Sequence, residues 1–214
     1  MLSHLHTRFP RALRQSFQDA LTVVWDVDLL QGLSAARLAA SILIIELGVD
    51  LPSYSFVDFC AGSGGPTPII ERTINDHLRR NGLSPVQFIL TDLHPNNAAW
   101  KKLARASPHL TYESSSIDAS RAPDQLVQCE GGKKVLRLFN LAFHHFDDPL
   151  ARRILRDTVE KGQGFAIFEL QDRSVSSIAA ILLMGLGVIL AAPFYAWKWR
   201  RPTVPVFTYL DQDS

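Results

Sequence analysis

The sequence predicts an α/β fold in which a doubly wound, mostly parallel sheet carries helices on both faces. Two observations point there. Ser55 to Cys60 is a strand-length apolar run broken by Asp58, followed at once by Gly62, Ser63, Gly64 and Gly65 and then by Pro66 and Pro68, where a helix can open. Downstream, short apolar runs alternate with helix-patterned stretches as far as residue 170, at an interval that suits strand–helix–strand crossovers. At 214 residues the chain is one domain of ordinary size, or one domain plus a small cap.

Composition removes several classes of function. The formal net charge is +1, and the basic residues lie in scattered pairs such as Arg79-Arg80 and Arg152-Arg153, so no nucleic-acid partner is expected. Cys60 and Cys129 are the two cysteines, too few for a disulfide framework or a zinc site, and a reducing, cytoplasmic setting is the simple expectation. The histidines at 4, 6, 77, 94, 109, 144 and 145 show no zinc-ligand spacing, so no metal is expected. MLSHLHTRFPRALRQ has no apolar core behind its charges and reads as neither a secretory signal nor a leading span.

The elements follow in order. Leu13, Phe17, Leu21, Val24 and Trp25 share one face of a helix between Pro10 and Asp28. Ser34 suits the N-cap of a second helix, Ala35 to Leu47, and Gly48 its stop. After the glycine turn a helix runs from Pro66 to about Arg80. Pro85 to Leu90 is a second strand, Pro95 to Ala106 a helix, Leu110 to Glu113 a weak third strand, and Lys134 to Phe143 a fourth. Pro149 to Lys161 is helical, and Phe165 to Leu170 is a fifth strand.

The glycine turn is the chemically informative stretch. Its glycines allow close approach to the main chain, and the unpaired N–H groups of the helix behind it offer donors. From Gly62 it reads G-S-G-G-P-T, with Thr67 where a dinucleotide turn needs its third small residue, and no Lys follows Gly65 as a phosphate loop requires. Both NAD and ATP are disfavoured. An acidic side chain at the carboxyl edge of the second strand matches a ribose diol, and Asp92 stands there. A helix cap is the competing role for that residue.

Val57-Asp58-Phe59-Cys60-Ala61-Gly62-Ser63-Gly64 resembles the first motif of class I S-adenosylmethionine-dependent methyltransferases, hydrophobic-Asp-x-x-x-Gly-x-Gly, with Cys60 where those families usually carry Gly. Asn140-Leu141-Ala142-Phe143-His144-His145-Phe146-Asp147-Asp148 resembles the segment after the fourth strand of many small-molecule members. The resemblance covers roughly residues 54 to 170. It implies a Rossmann-like fold with S-adenosylmethionine held by Asp58, Cys60, Ala61, Gly62, Ser63, Gly64, Asp92, Leu93, Ile117, Asp118, Ala119 and Asn140. Within that set Leu93 would lie against the adenine ring and Asp118 would accept from the adenine amine, while Asp58 would organise the turn. His144 and His145 are the candidates for a catalytic base. The implied activity is O- or N-methylation of a small, lipophilic acceptor. The alternative is a non-catalytic protein of the same fold that binds the cofactor or a partner.

The resemblance divides the chain into a helical cap over residues 1–50, a cofactor-binding domain over 51–173, and an apolar helical segment with a short tail over 174–214. The cap would be a lid over the substrate or a cover for one face of the sheet. Ser174 to Trp197 carries no charge. It is long enough for a span, but Lys198, Arg200 and Arg201 at its far end oppose that orientation. Contact with a membrane surface through 174–199, a buried helix and a homodimer interface remain alongside a span. Only Val204 to Leu210 follows as a strand candidate, so the C-terminal β-hairpin of the full fold is expected to be missing and the sheet edge open to pairing with another copy.

Overall fold

The computed structural model describes residues 34–127, 132–161 and 164–169. The expectations for the first helix, for the 174–199 segment and for the missing hairpin lie outside these residues, as does Cys129.

Helix α1 (Ala35–Leu47) begins at Ser34, whose Oγ accepts from the Arg37 amide at 3.4 Å, and ends at Gly48 with φ +48°. A 3-10 turn (Gly48–Ser53) leads into β1 (Tyr54–Phe59). Then come α2 (Thr67–Arg80), β2 (Phe88–Thr91), α3 (Asn97–Ala106) and β3 (Leu110–Tyr112). A 3-10 turn (Ala119–Arg121) and the short α4 (Asp124–Val127) precede β4 (Lys134–Asn140). A further 3-10 turn (Phe143–His145), α5 (Asp148–Lys161) and β5 (Phe165–Phe168) complete the order.

The five strands are all parallel in the order β3-β2-β1-β4-β5. This is a Rossmann-like α/β sheet, with strand order reversing between β1 and β4. Alternation along each strand divides the core. Phe56, Phe88, Leu90, Leu136 and Leu138 turn to the face covered by α1, α2 and α3, and join Ala36, Ala40, Ile70, Ile74 and Trp100. Val57, Phe59, Val135 and Phe139 turn to the other face, with Ile117, Val127 and Ile154. The rings of Phe56 and Phe88 stack at 4.5 Å across β1 and β2, a pairing worth about 1 kcal/mol beyond area burial. Helix α1 thus lies on α2 and helps cover one face, while Leu38, Ile42 and Ile45 point away from the core.

Three strands end earlier than the sequence leads one to expect. Leu141 adopts φ +53° and turns the chain out of β4, although Ala142 and Phe143 continue the apolar pattern. Tyr112 ends β3 before Glu113, and Phe168 ends β5 before Glu169. At the start of β2 the buried Asn75 replaces a neighbouring strand. Its Nδ2 donates to the Val86 carbonyl at 3.1 Å and its Oδ1 accepts from the Val86 amide at 2.8 Å, so Val86 is satisfied outside the sheet.

A buried charge sits on the α5 face. Arg137, fully buried in β4, donates to Asp157 at 2.9 Å and to Thr158 at 3.2 Å. Asp157 also accepts from the Ala122 amide at 3.3 Å and lies 3.2 Å from the Lys161 ammonium. Burial pushes this carboxyl up, but Arg137, Lys161 and the Ala122 amide outweigh it and hold Asp157 below the usual carboxylate range.

Candidate functional site

The reversal between β1 and β4 leaves a crevice at the carboxyl ends of the strands, where no crossover helix can close over both neighbours. The loops after β1, β2, β3 and β4 all leave from this edge. Two of them leave their strands in the same way: Cys60 after β1 has φ +67° and Leu141 after β4 has φ +53°. A left-handed residue with a side chain costs about 1–2 kcal/mol, and here the two neighbouring central strands both carry that cost at the point of reversal. The positive φ also accounts for the glycine usual at the position of Cys60 in the families its turn resembles.

Beneath the turn lies a buried polar cluster. Asp58 and Asn140 project from β1 and β4 towards the first residue of α2, Thr67, whose hydroxyl donates to Asp58 Oδ2. Asn140 Nδ2 donates to the same hydroxyl at 3.2 Å. Asp58 is 1 % exposed. Burial, reinforced by nearby Asp92, pushes its carboxyl up to about 7 against the opposing pull of Thr67 and Asn140. Asp58 Oδ1 and Asn140 Oδ1 have no hydrogen-bond partner. Asp58 therefore ties the strand to the helix from inside.

Asp92 is the hinge of the turn. Its Oδ2 accepts from the Gly62 amide at 2.9 Å and its Oδ1 from the His94 amide at 2.7 Å. The Ala61 amide reaches the Thr91 carbonyl at 3.0 Å, and Gly64 donates back to Ala61 at 2.7 Å. Among the described residues no acceptor lies within reach of the Ser63 and Gly65 amides. The carboxylate keeps one further lone-pair site on each oxygen, enough for a vicinal diol. The cap of α3 falls instead to Asn96, whose Oδ1 accepts from Ala99 at 3.3 Å while its Nδ2 donates to Ser63 Oγ at 3.1 Å.

The remaining residues expected at a ligand divide by burial. Leu93 is half exposed beside Asp92, and its carbonyl accepts from Ser116 Oγ at 2.7 Å. The Ile117 amide donates to the Asp92 carbonyl at 2.9 Å, so the loops after β2 and β3 are zipped together. The Ile117 and Ala119 side chains, however, are buried among Val57, Phe59 and Phe139, which leaves their main chain as what they can offer a ligand. Asp118 caps its 3-10 turn, Oδ1 accepting from the Ser120 amide and hydroxyl, each at 2.8 Å. Gly64 is a packing glycine: at φ +114°, a Cβ there would collide with Leu103 of α3. The Cys60 thiol is pushed far up by burial and by Asp92, Asp58 and Asp118.

Beyond the carboxyl ends of β4 and β5 stands His144. Its Nδ1 lies 2.8 Å from Glu169 Oε2, and the Phe143 amide donates to Glu169 Oε1 at 2.9 Å. The His145 ring lies against His144 with centroids 3.9 Å apart. Glu169 had no place in the sequence reading. The sequence runs the fifth strand through it, and only the observed end of β5 at Phe168 leaves Glu169 just beyond a strand, as Asp92 is beyond β2. Among the described residues there is no group of three or more His, Cys, Asp or Glu that could hold a metal ion, and no helix long and apolar enough to cross a membrane.

Fold and site together define a doubly wound parallel α/β protein whose glycine turn, Asp92 and His144 all lie just beyond the carboxyl ends of its strands. No protein family and no curated protein match the chain by sequence. Among solved structures it is similar to the crystal structure of trans-methyltransferase CalH complexed with SAH, at 18% identity and a TM-score of 0.49. The match covers 81% of this chain and 44% of that one, so the chain spans less than half the length of CalH.

Proposed function

We propose that the protein is an S-adenosylmethionine-dependent methyltransferase acting on a small, lipophilic acceptor. The observation that carries the reading is Asp92, held under the glycine turn by two amides with lone pairs to spare at the edge of the crevice. Asp92 would take the ribose hydroxyls, with Leu93 against the adenine and the Ser63 and Gly65 amides available to the rest of the cofactor. When bound, the cofactor supplies an electrophilic methyl group. What the chain must do is align it with a nucleophile and exclude water. His144, in the turn after β4, would remove a proton from the acceptor.

Calorimetry with S-adenosylhomocysteine tests this. The intact protein is expected to bind, and Asp92→Ala to bind about 100-fold more weakly, the loss of two charge-assisted hydrogen bonds at the low end of their range. Absence of binding by the intact protein refutes the reading, and unchanged binding in Asp92→Ala refutes the ribose assignment. A non-catalytic binder of the same fold is the second reading. It predicts binding without transfer of label into a lipophilic extract. The apolar sequence of 174–199 supports contact with a membrane surface or a second copy, and flotation on liposomes separates these.

A further inference from the structure

We infer that Glu169 is a positioning residue for His144, and that the acceptor is therefore a group with a proton to lose, a hydroxyl or a protonated amine, rather than a carboxylate. The inference rests on the methyl-transfer reading and deepens it. An ionised carboxylate only accepts hydrogen bonds, so at 2.8 Å from Oε2 the Nδ1 of His144 must be the donor. The neutral ring is then held as the Nδ1–H tautomer, which leaves Nε2 as the basic nitrogen. The second oxygen of Glu169 is held by the Phe143 amide at 2.9 Å, so the carboxylate cannot rotate away, and both residues sit on loops at the carboxyl edge of adjoining strands: Asn140 pairs with Phe168, and the Leu141 amide donates to the Phe168 carbonyl at 2.9 Å. The His144 ring is 49% exposed while Glu169 is 25% exposed, which is the arrangement of a base open to a reactant with its orienting partner set back.

The chemistry balances with these groups alone. A hydroxyl oxygen would attack the methyl carbon with a lone pair it already has, whereas a protonated amine would first give up its proton to free the nitrogen pair; in either case the carbon–sulfur pair would be left on sulfur. The acceptor proton passes to His144 Nε2, and Glu169 faces the imidazolium that results. A carboxylate acceptor is already ionised and would have no use for this pair.

Glu169→Gln is the discriminating change, because its Oε1 can still accept from the Phe143 amide while its Nε2 donates to Nδ1 and reverses the tautomer. Nitrogen-15 NMR of the imidazoles is expected to show His144 protonated at Nδ1 in the intact protein and at Nε2 in the variant. With labelled methyl donor and a lipophilic extract, transfer is expected to fall at least about 100-fold, as for loss of a general base, with S-adenosylhomocysteine affinity unchanged. The labelled product is expected to survive mild alkali, as ethers and amines do and methyl esters do not. An Nε2–H tautomer in the intact protein, undiminished transfer in Glu169→Gln, or an alkali-labile product overturns the inference. Failure of the intact protein to bind S-adenosylhomocysteine overturns the methyltransferase reading instead, since that measurement does not involve His144.

Discussion

Replacing Gly64 by alanine separates packing from ligand approach as the reason for a glycine in the turn. Gly64 has φ +114°, and a Cβ added there would overlap Leu103 Cδ1 on α3. The backbone conformation costs a side-chain-bearing residue about 1–3 kcal/mol. Leu103 is a flexible neighbour and can move off its rotamer for about 1 kcal/mol, so Gly64→Ala should destabilise by about 2–4 kcal/mol. Leu103→Ala removes the obstacle but leaves the backbone term. In urea unfolding of the two single variants and the double variant, the double should be more stable than the sum of the singles by about 1 kcal/mol, beyond the usual additivity error of about 0.5 kcal/mol. Strict additivity would show that Leu103 is not what excludes a side chain at this position.

Other consequences follow from the buried groups. The Asp58 carboxyl rises from 3.8 to about 7 on folding; the folded state therefore binds the extra proton, and stability from this group is full below pH 4 and lost as pH climbs through about 7. The loss is on the order of 4 kcal/mol, so Asp58→Asn should stabilise the protein at pH 8 and not at pH 4, and a difference independent of pH would contradict the burial argument. Asp157→Ala leaves the guanidinium of Arg137 without its carboxylate and should cost about 3–5 kcal/mol. Arg137→Met combined with it should recover part of that in thermal unfolding, and no recovery would mean that Asp157 acts through its other partners.

Much of this molecule was legible in one dimension. Helix α1 runs from Ala35 to Leu47 between the serine and glycine that mark its ends, because both signals act within one turn of chain. The glycine turn, the helix behind it and the succession of the five strands along the chain were legible for the same reason: apolar period, φ requirements and missing N–H groups are local properties. So was the assignment of Asp92 to a strand edge, since strand ends follow from where the apolar run stops.

Where side chains from different strands meet was decided only by folding. No spacing along the chain brings Glu169 to His144, which are 25 residues apart and on different loops. Their meeting depends on β4 and β5 pairing in register. The burial of Ile117 and Ala119 likewise depends on the face to which the loop after β3 returns. The sequence by itself determined the elements and the strand ends at which the glycine turn and Asp92 stand, because backbone preferences are short-range. The tertiary structure alone decided that Asp92 is bound to the turn it faces, that Gly64 yields to Leu103, and that His144 has a carboxylate behind it, because each is a contact across strands whose energy exists only once the sheet has formed.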